Sequence, residues 1–266
     1  MIDSYRAVSI KTTWERPYFS VDGVDKAYLL LEVRGHSRRP AERPPLNLAL
    51  VLDRSGSMAG APIEYSKKAC RFAADQMREG DRLSLVAFDD VVETIDPPTK
   101  ERIAAIQPGG STNLSGGFLA GASLAQRSIG KGTTNRVVLL SDGHANCGIT
   151  DKGKLGAIAK SYRAAGVSVT TMGVGDGFDE ELLETIAEQG GGRFYYIGAA
   201  EEIPGIFEGE LNGLLSTVAH NLRLTLRPSE GIRVRNVYGA TRETDSRGTT
   251  LALGDLCEGA AKTLLV

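Results

Sequence analysis

The chain has 266 residues, 41% of them hydrophobic, which is enough to bury a large core in one α/β domain together with a small companion unit. Its formal net charge of −2 provides no basic field for nucleic acid, and its 3 widely spaced cysteines argue against a disulfide framework and a thiolate metal site. Because neither a signal peptide nor a run of about 18 apolar residues occurs, we expect a cytoplasmic protein without a membrane span. We also expect a monomer.

The first 45 residues predict β-structure that precedes the main domain. Residues 5–13 and 27–33 are rich in β-branched or large apolar side chains, and a turn-forming stretch at 22–25 separates them. They predict two strands. Residues 37–45 are rich in proline and arginine, which indicates a polar linker and a domain boundary near Pro45.

The pattern changes at Leu46, where strands begin to alternate with helices. Residues 48–52 are continuously apolar, which is typical of a strand that is covered on both faces of a parallel sheet. Right-handed crossovers through helices would connect such strands. Further strands are predicted at residues 82–88, 91–95 (an antiparallel edge), 137–140, 167–174 and 193–197, and helices begin near Pro62, Leu114, Leu155, Glu180 and Glu201. The last helix is predicted to end near Val218.

After residue 218 the apolar period becomes 2, which predicts antiparallel strands with one solvated face. The segments are 222–226, 232–235, 251–253 and 263–266. A small sheet is not stable alone, so we expect these strands to join the two N-terminal strands.

The predicted fold is therefore a Rossmann-like, doubly wound, mostly parallel α/β sheet with a companion antiparallel β-sandwich. Its predicted domains are residues 1–45, 46–218 and 219–266, of which the first and last form the sandwich. Because the sequence stops within a predicted strand, we expect the natural protein to continue beyond Val266.

Oxygen-bearing side chains follow the ends of several predicted elements. Asp53, Ser55 and Ser57 alternate directly after the first buried strand. Thr112 lies in a glycine-rich loop before a helix, and Asp142 follows another apolar strand. The carboxyl ends of adjacent parallel strands face one crevice, so we expect these side chains to converge. Two carboxylates and three hydroxyls are hard ligands that suit Mg²⁺.

Each of these residues also fits an ordinary structural role, since acids cap helices and serines or threonines stabilise turns. Two neighbours are assigned no site role: His144 is expected at the surface and Cys147 is expected to be a bystander thiol. The segment 148–154 departs from a phosphate-binding loop, because Leu155 follows where Ser or Thr would reach a metal.

Three segments, DRSGSM, GGSTNLSGG and LLSDGHANCGITD, resemble the metal-site segments of the von Willebrand factor type A domain family, in that family's order and spacing. The resemblance covers about residues 46–218, and the sequence is similar to bacterial stand-alone members and to inter-alpha-trypsin inhibitor heavy chains.

The resemblance implies a metal-ion-dependent adhesion site that binds Mg²⁺, with Mn²⁺ and Ca²⁺ as alternatives. Ser55, Ser57 and Thr112 would coordinate directly, and Asp53 and Asp142 directly or through water. A partner protein would supply an Asp or Glu carboxylate as the remaining ligand.

Two functions of different classes fit these residues. The first is a non-enzymatic binding module that captures an acidic side chain through the metal. The second is a metal-assisted hydrolase or phosphotransferase that uses Asp53 or Asp142 as nucleophile or base. The sequence has no second acid next to Asp53, and Lys67 and Lys68 lie within a predicted helix rather than at the strand end. The binding module is therefore the favoured hypothesis.

Overall fold

The computed structural model divides the chain into two compact units. Residues 7–16, 26–36, 44–143, 145–245 and 248–266 are described. Pro44–Asn212 form the α/β unit, and Met1–Arg43 with Gly213–Val266 form the β unit. Most of the predicted linker at 37–45 and part of the first predicted strand lie outside the described residues. The predicted domain limits, 1–45, 46–218 and 219–266, stay a proposal.

Strands and helices alternate through the α/β unit. The strands among the described residues are β1 (Val8–Trp14), β2 (Leu29–Gly35), β3 (Leu46–Asp53), β4 (Arg82–Phe88), β5 (Val92–Ile95), β6 (Thr134–Ser141), β7 (Ser168–Val174), β8 (Gly191–Ile197), β9 (Thr217–Leu226), β10 (Thr241–Asp245), β11 (Gly248–Cys257) and β12 (Ala261–Leu265). The helices are α1 (Ala61–Gln76), α2 (Lys100–Ala104), α3 (Leu114–Arg127), α4 (Lys152–Ala164), α5 (Glu180–Gly190) and α6 (Ile203–Leu215). Among the described residues, no helix is both long and apolar enough to cross a membrane.

A six-stranded sheet with the order β5-β4-β3-β6-β7-β8 forms the centre of the α/β unit. Its neighbouring strands run parallel, except that β5 pairs antiparallel with β4 at one edge. All eight residues of β3 are buried. The predicted parallel sheet, its central apolar strand and its antiparallel edge are confirmed.

Helix α3 packs directly on the sheet because small residues line its contact face. A Cβ atom at Gly121 would lie 2.2 Å from Cγ2 of Val51, and one at Gly117 would lie 2.4 Å from the Phe88 ring. Only glycine therefore fits at this separation between helix and strand. The fully buried Phe118 continues the contact into the core. This packing holds the start of α3 near the carboxyl ends of β3 and β4.

The β unit contains two antiparallel three-stranded sheets, β1-β2-β12 and β10-β11-β9. Side chains from both sheets share one apolar cluster, whose buried members are Leu31, Val33, Val218, Leu251, Leu253, Leu256 and Leu264. N-terminal and C-terminal strands therefore build the sandwich together, as predicted.

Several predicted elements of the C-terminal part are wrong in position. The segment 232–235, predicted as a strand, has no regular structure, and Ile232 is 63% exposed, so its apolar alternation does not face a core. The polar strand β10 pairs with β11 instead. The last helix ends at Leu215 rather than at Val218, because Thr217 and Val218 already belong to β9.

Deleting residues 1–40 is expected to destabilise β12, because β2 is the strand with which β12 pairs. The deletion also removes Leu31 and Val33 from the shared apolar cluster. Hydrogen exchange should show loss of amide protection in residues 261–265, while β3 in the other unit keeps its protection. Unchanged protection of β12 would show that the terminal segments are independent and would contradict the proposed domain scheme.

Candidate metal centre

The candidate centre lies at the carboxyl edge of the central sheet. Strand β3 ends at Asp53, and its neighbour β6 ends at Ser141, directly before Asp142. Thr112 lies two residues before α3, whose first turn is capped by the side chain of Asn113. The adjacent strands β3 and β6 therefore place Asp53 and Asp142 side by side, at the edge where parallel sheets commonly bind ligands.

Hydrogen bonds join the loop that follows β3 to Asp142. Asp53 Oδ1 accepts from the Ser55 backbone N–H at 2.8 Å. The Ser55 and Ser57 hydroxyl oxygens lie 3.2 Å apart, and Ser57 Oγ donates to Asp142 Oδ1 at 2.8 Å. Four of the five predicted ligands are therefore connected through three short contacts.

Thr112 completes the group from a third loop. A Cβ atom at Gly143 would lie 3.1 Å from Thr112 Oγ1 and 3.7 Å from Ser57 Oγ, so both hydroxyls reach the same place beside Gly143. Asp53, Ser55 and Thr112 are buried, whereas Ser57 is exposed and Asp142 is half-buried. The group therefore has a closed inner side and an outer side that a ligand can approach.

Ser141 belongs to this arrangement, although it was not among the residues predicted from the sequence. Its Oγ donates to Asp53 Oδ2 at 2.5 Å and accepts from the Gly143 N–H at 3.3 Å. The side chain is fully buried. A polar residue that ends an otherwise apolar strand next to Asp142 is the signal that could have identified it.

Burial dominates the electrostatics of both acids. It raises the pKa of Asp53 to about 6, an effect that hydrogen bonds from Ser141 and Ser55 reduce and the nearby Asp142 increases. Burial also raises the pKa of Asp142, against the hydrogen bond from Ser57. In the described parts of the chain, neither acid forms an ion pair with Lys or Arg. Two carboxylates with no positive partner and three hydroxyls are a donor set that a hard divalent cation fits.

Arg54 does not supply the missing charge, although it stands between Asp53 and Ser55. Its side chain pairs with Glu93 at 2.8 Å and with Asp89 at 3.3 Å, which directs it toward β4 and β5. Within the described ranges, no cluster of three or more His, Cys, Asp or Glu residues is placed to hold a metal. A cation site at Asp53 and Asp142 would therefore need oxygen ligands of other kinds, and the hydroxyls of Ser55, Ser57 and Thr112 are nearby side-chain oxygens. His144, predicted at the surface, lies outside the described residues.

The von Willebrand factor type A domain model matches residues 47–209 of the chain. The uncharacterized protein YfbK of Escherichia coli (strain K12) is 27% identical over 208 residues, which cover 74% of this chain and 36% of YfbK. Human inter-alpha-trypsin inhibitor heavy chain H3 is 28% identical over 194 residues, 65% of this chain and 22% of the relative. The chain thus spans about a third or less of these relatives.

Two solved structures share the fold at low sequence identity. A von Willebrand factor type A protein from Catenulispora acidiphila superposes with a TM-score of 0.77 at 16% identity, covering 97% of this chain and 64% of the other. Proximal thread matrix protein 1 from the mussel byssus, with zinc in its metal-ion-dependent adhesion site (MIDAS) motif, superposes with a TM-score of 0.51 at 20% identity. The match covers 69% of this chain and 49% of the other.

Proposed function

The chain belongs to the von Willebrand factor type A domain family, and on that premise we propose that it binds an acidic side chain of a partner protein through a divalent cation. The family generally mediates metal-dependent protein interactions. The proposed cation ligands are Asp53, Ser55, Ser57, Thr112 and Asp142. One observation carries the proposal: oxygen atoms from three loops converge around two acids that have no Lys or Arg partner among the described residues.

Mg²⁺ is the proposed cation, with Mn²⁺ and Ca²⁺ as alternatives, because carboxylate and hydroxyl oxygens are ligands for all three. The mussel protein with a zinc-occupied MIDAS motif supports a divalent cation at this kind of site. When bound, the cation would supply the positive charge that attracts a partner carboxylate, and Ser57 is exposed on the side that a ligand can approach. Since all five donor residues come from one chain, a monomer suffices.

The burial and hydrogen bonding of Asp53 favour carboxylate capture over catalysis. Both of its oxygens accept hydrogen bonds, one from the Ser55 N–H and one from the Ser141 hydroxyl, and the residue is fully buried. A carboxylate held in this way is poorly placed to attack a substrate or to accept its proton. Incubation with phosphoester and peptide substrates in Mg²⁺ tests the alternative: turnover that Asp53→Ala abolishes would support a hydrolase.

Selection of a displayed peptide library on the Mg²⁺-loaded protein tests the binding function. We expect peptides that EDTA elutes to contain an Asp or Glu whose replacement by Asn or Gln lowers affinity at least about tenfold, or 1.4 kcal/mol. Protein carrying Asp142→Ala serves as the matched control and should yield no EDTA-eluted peptides. Binding that survives both EDTA and Asp142→Ala would contradict metal-mediated capture.

Thr112→Val is expected to weaken Mg²⁺ binding moderately, by about tenfold, because it deletes a neutral ligand that water can replace while keeping the side-chain shape. Thermal melts across a Mg²⁺ titration measure the change. Thr225→Val, on an exposed position of β9, is the control and should leave the titration unchanged. A Thr112→Val titration identical to that of the wild type would remove Thr112 from the ligand set.

A further inference from the structure

Asn146 forms hydrogen bonds with both backbone polar groups of Thr112. The side-chain Oδ1 of Asn146 accepts from the Thr112 N–H at 3.0 Å, and the backbone N–H of Asn146 donates to the Thr112 carbonyl at 3.2 Å. Thr112 is 4% exposed, so its backbone groups need partners within the protein. One residue of the loop after β6 therefore satisfies the whole peptide backbone of a proposed ligand in a different loop.

The residues after Asn146 continue this attachment along the start of α3. The Ile149 N–H donates to Ser115 Oγ at 2.8 Å. Gly148 has a φ of 75°, and a Cβ atom there would lie 2.4 Å from Ser115 Oγ and 2.5 Å from Asn113 Oδ1. Close approach and backbone conformation both require glycine at this position. Residues 146–149 thus lie against residues 112–115.

This attachment connects two of the three loops that carry the proposed ligands. Asp142 and Asn146 share the loop after β6, so fixing Thr112 to Asn146 fixes its hydroxyl relative to the Asp142 carboxylate. The third loop, which follows β3, contacts both of the others. Ser57 Oγ donates to Asp142 Oδ1 at 2.8 Å, and the Gly56 N–H donates to the Gly110 carbonyl at 3.2 Å. The distances between ligands therefore depend on contacts made outside the ligand set.

We propose that Asn146 is a positioning residue of the metal centre, which sets the place of the Thr112 hydroxyl relative to Asp142. This inference rests on the proposed function of the centre. Asn146 has this role through the acceptor on its side chain: without Oδ1, the Thr112 N–H loses its partner within the protein, and the 109–113 loop shifts to find another. Such a shift moves Thr112 Oγ1 away from the shared point beside Gly143.

Loss of groups that orient metal ligands typically lowers metal affinity by about 10- to 100-fold. For Asn146→Leu, which keeps the approximate volume and deletes the acceptor, we expect a loss at the lower end of that range, about tenfold, because misplacing the Thr112 hydroxyl costs no more than deleting it. Asn146→Asp keeps the acceptor and adds negative charge, so its Mg²⁺ affinity should stay within about threefold of the wild type, or become tighter. The contrast between these two variants isolates the hydrogen bond to Thr112.

Asn135→Leu is the matched control. Asn135 lies at the opposite end of β6, where it binds Asn47 and the Gly166 carbonyl. Ser141 lies six positions further along the extended strand, about 20 Å away. Its replacement removes more side-chain hydrogen bonds than Asn146→Leu does, without touching the ligand loops, so we expect lower thermal stability with unchanged Mg²⁺ affinity. A general loss of stability is thereby separated from misplacement of ligands.

The experiment is calorimetric titration of Mg²⁺ into the full chain and its variants, together with hydrogen exchange of the Thr112 amide in metal-free protein. The expected result is slow exchange in the wild type and in Asn146→Asp, fast exchange in Asn146→Leu, and an affinity loss confined to Asn146→Leu. Wild-type affinity in a folded Asn146→Leu, or equal Thr112 protection in all proteins, would overturn the positioning role alone. A wild type that binds no Mg²⁺ would overturn the proposed function and the positioning role together.

Discussion

Asp142→Asn is expected to remove most of the stabilisation that Mg²⁺ gives to the folded chain. A ligand that binds only the native state adds about 2.7 kcal/mol to the free energy of unfolding at a hundredfold excess over its dissociation constant. The substitution keeps an acceptor for the Ser57 hydroxyl, which now binds Asp142 Oδ1 at 2.8 Å, but deletes a negative charge from the cation's surroundings. Metal binding should therefore weaken severely while the local shape is kept.

The same substitution is expected to leave the metal-free protein as stable as the wild type or slightly more stable. Asp142 contributes to the raised pKa of Asp53, so removing its charge relieves repulsion between the two acids. Thermal melts across a Mg²⁺ titration measure both effects. Asp75→Asn, an exposed acid of α1 that pairs with Lys100, is the charge-matched control and should respond to Mg²⁺ like the wild type. Equal Mg²⁺-induced shifts in wild type and Asp142→Asn would show that the cation binds elsewhere.

The metal-free protein is expected to lose about 3 kcal/mol of stability through Asp53 as the pH rises from about 3 to 7. Burial raises the pKa of Asp53 from 3.8 to about 6 in the folded chain. Between these values the native state binds more protons than the unfolded state, so stability falls with rising pH. Well below pH 3.8 both states are protonated, and well above pH 6 both are ionised, so the loss is centred between these two pKa values and extends about one pH unit beyond each.

Asp53→Asn isolates this contribution, because it removes the titrating group and keeps the size of the side chain. Urea unfolding in EDTA at a series of pH values should show similar stability of the two proteins near pH 3.5. The difference should then grow to about 3 kcal/mol in favour of Asp53→Asn at pH 7. Parallel curves would mean that the buried carboxyl ionises as it does in the unfolded chain. Added Mg²⁺ should raise the stability of the wild type at pH 7 and leave the variant nearly unchanged.

The central sheet could be predicted because its strands are apolar without interruption. The eight residues of β3 are buried on both faces, and a short, continuous apolar run is typical of a strand in that position. The polar strand β10 could not be found in this way, because its pairing with β11 depends on backbone hydrogen bonds that any sequence can make. The strand predicted at 232–235 is wrong for the converse reason: apolar and polar residues alternate regularly there, but Ile232 faces solvent.

The convergence of the proposed ligands was predictable to a greater extent than the contacts that support them. Asp53, Ser55 and Ser57 alternate within one loop, so their convergence is local, and parallel topology brings Asp142 beside them. Ser141 and Asn146 act on residues that are distant in sequence: Ser141 binds Asp53, 88 residues away, and Asn146 binds Thr112, 34 residues away. Such contacts depend on how loops pack in three dimensions. A polar residue at the end of an apolar strand could have drawn attention to Ser141, but nothing in the sequence pairs it with Asp53 or pairs Asn146 with Thr112.

The location of the cation tests the central claim most directly, and anomalous diffraction from crystals soaked in Mn²⁺ measures it. The expected result is a strong anomalous peak about 2 Å from the Ser55 and Ser57 hydroxyl oxygens, the distance at which oxygen ligands hold small divalent cations. Thr112 and the two acids should surround the same peak directly or through water, and the peak should be absent in Asp142→Asn crystals. A peak at another position, such as Asp89 and Asp90, or no peak beside these serines in the wild type, would contradict the account.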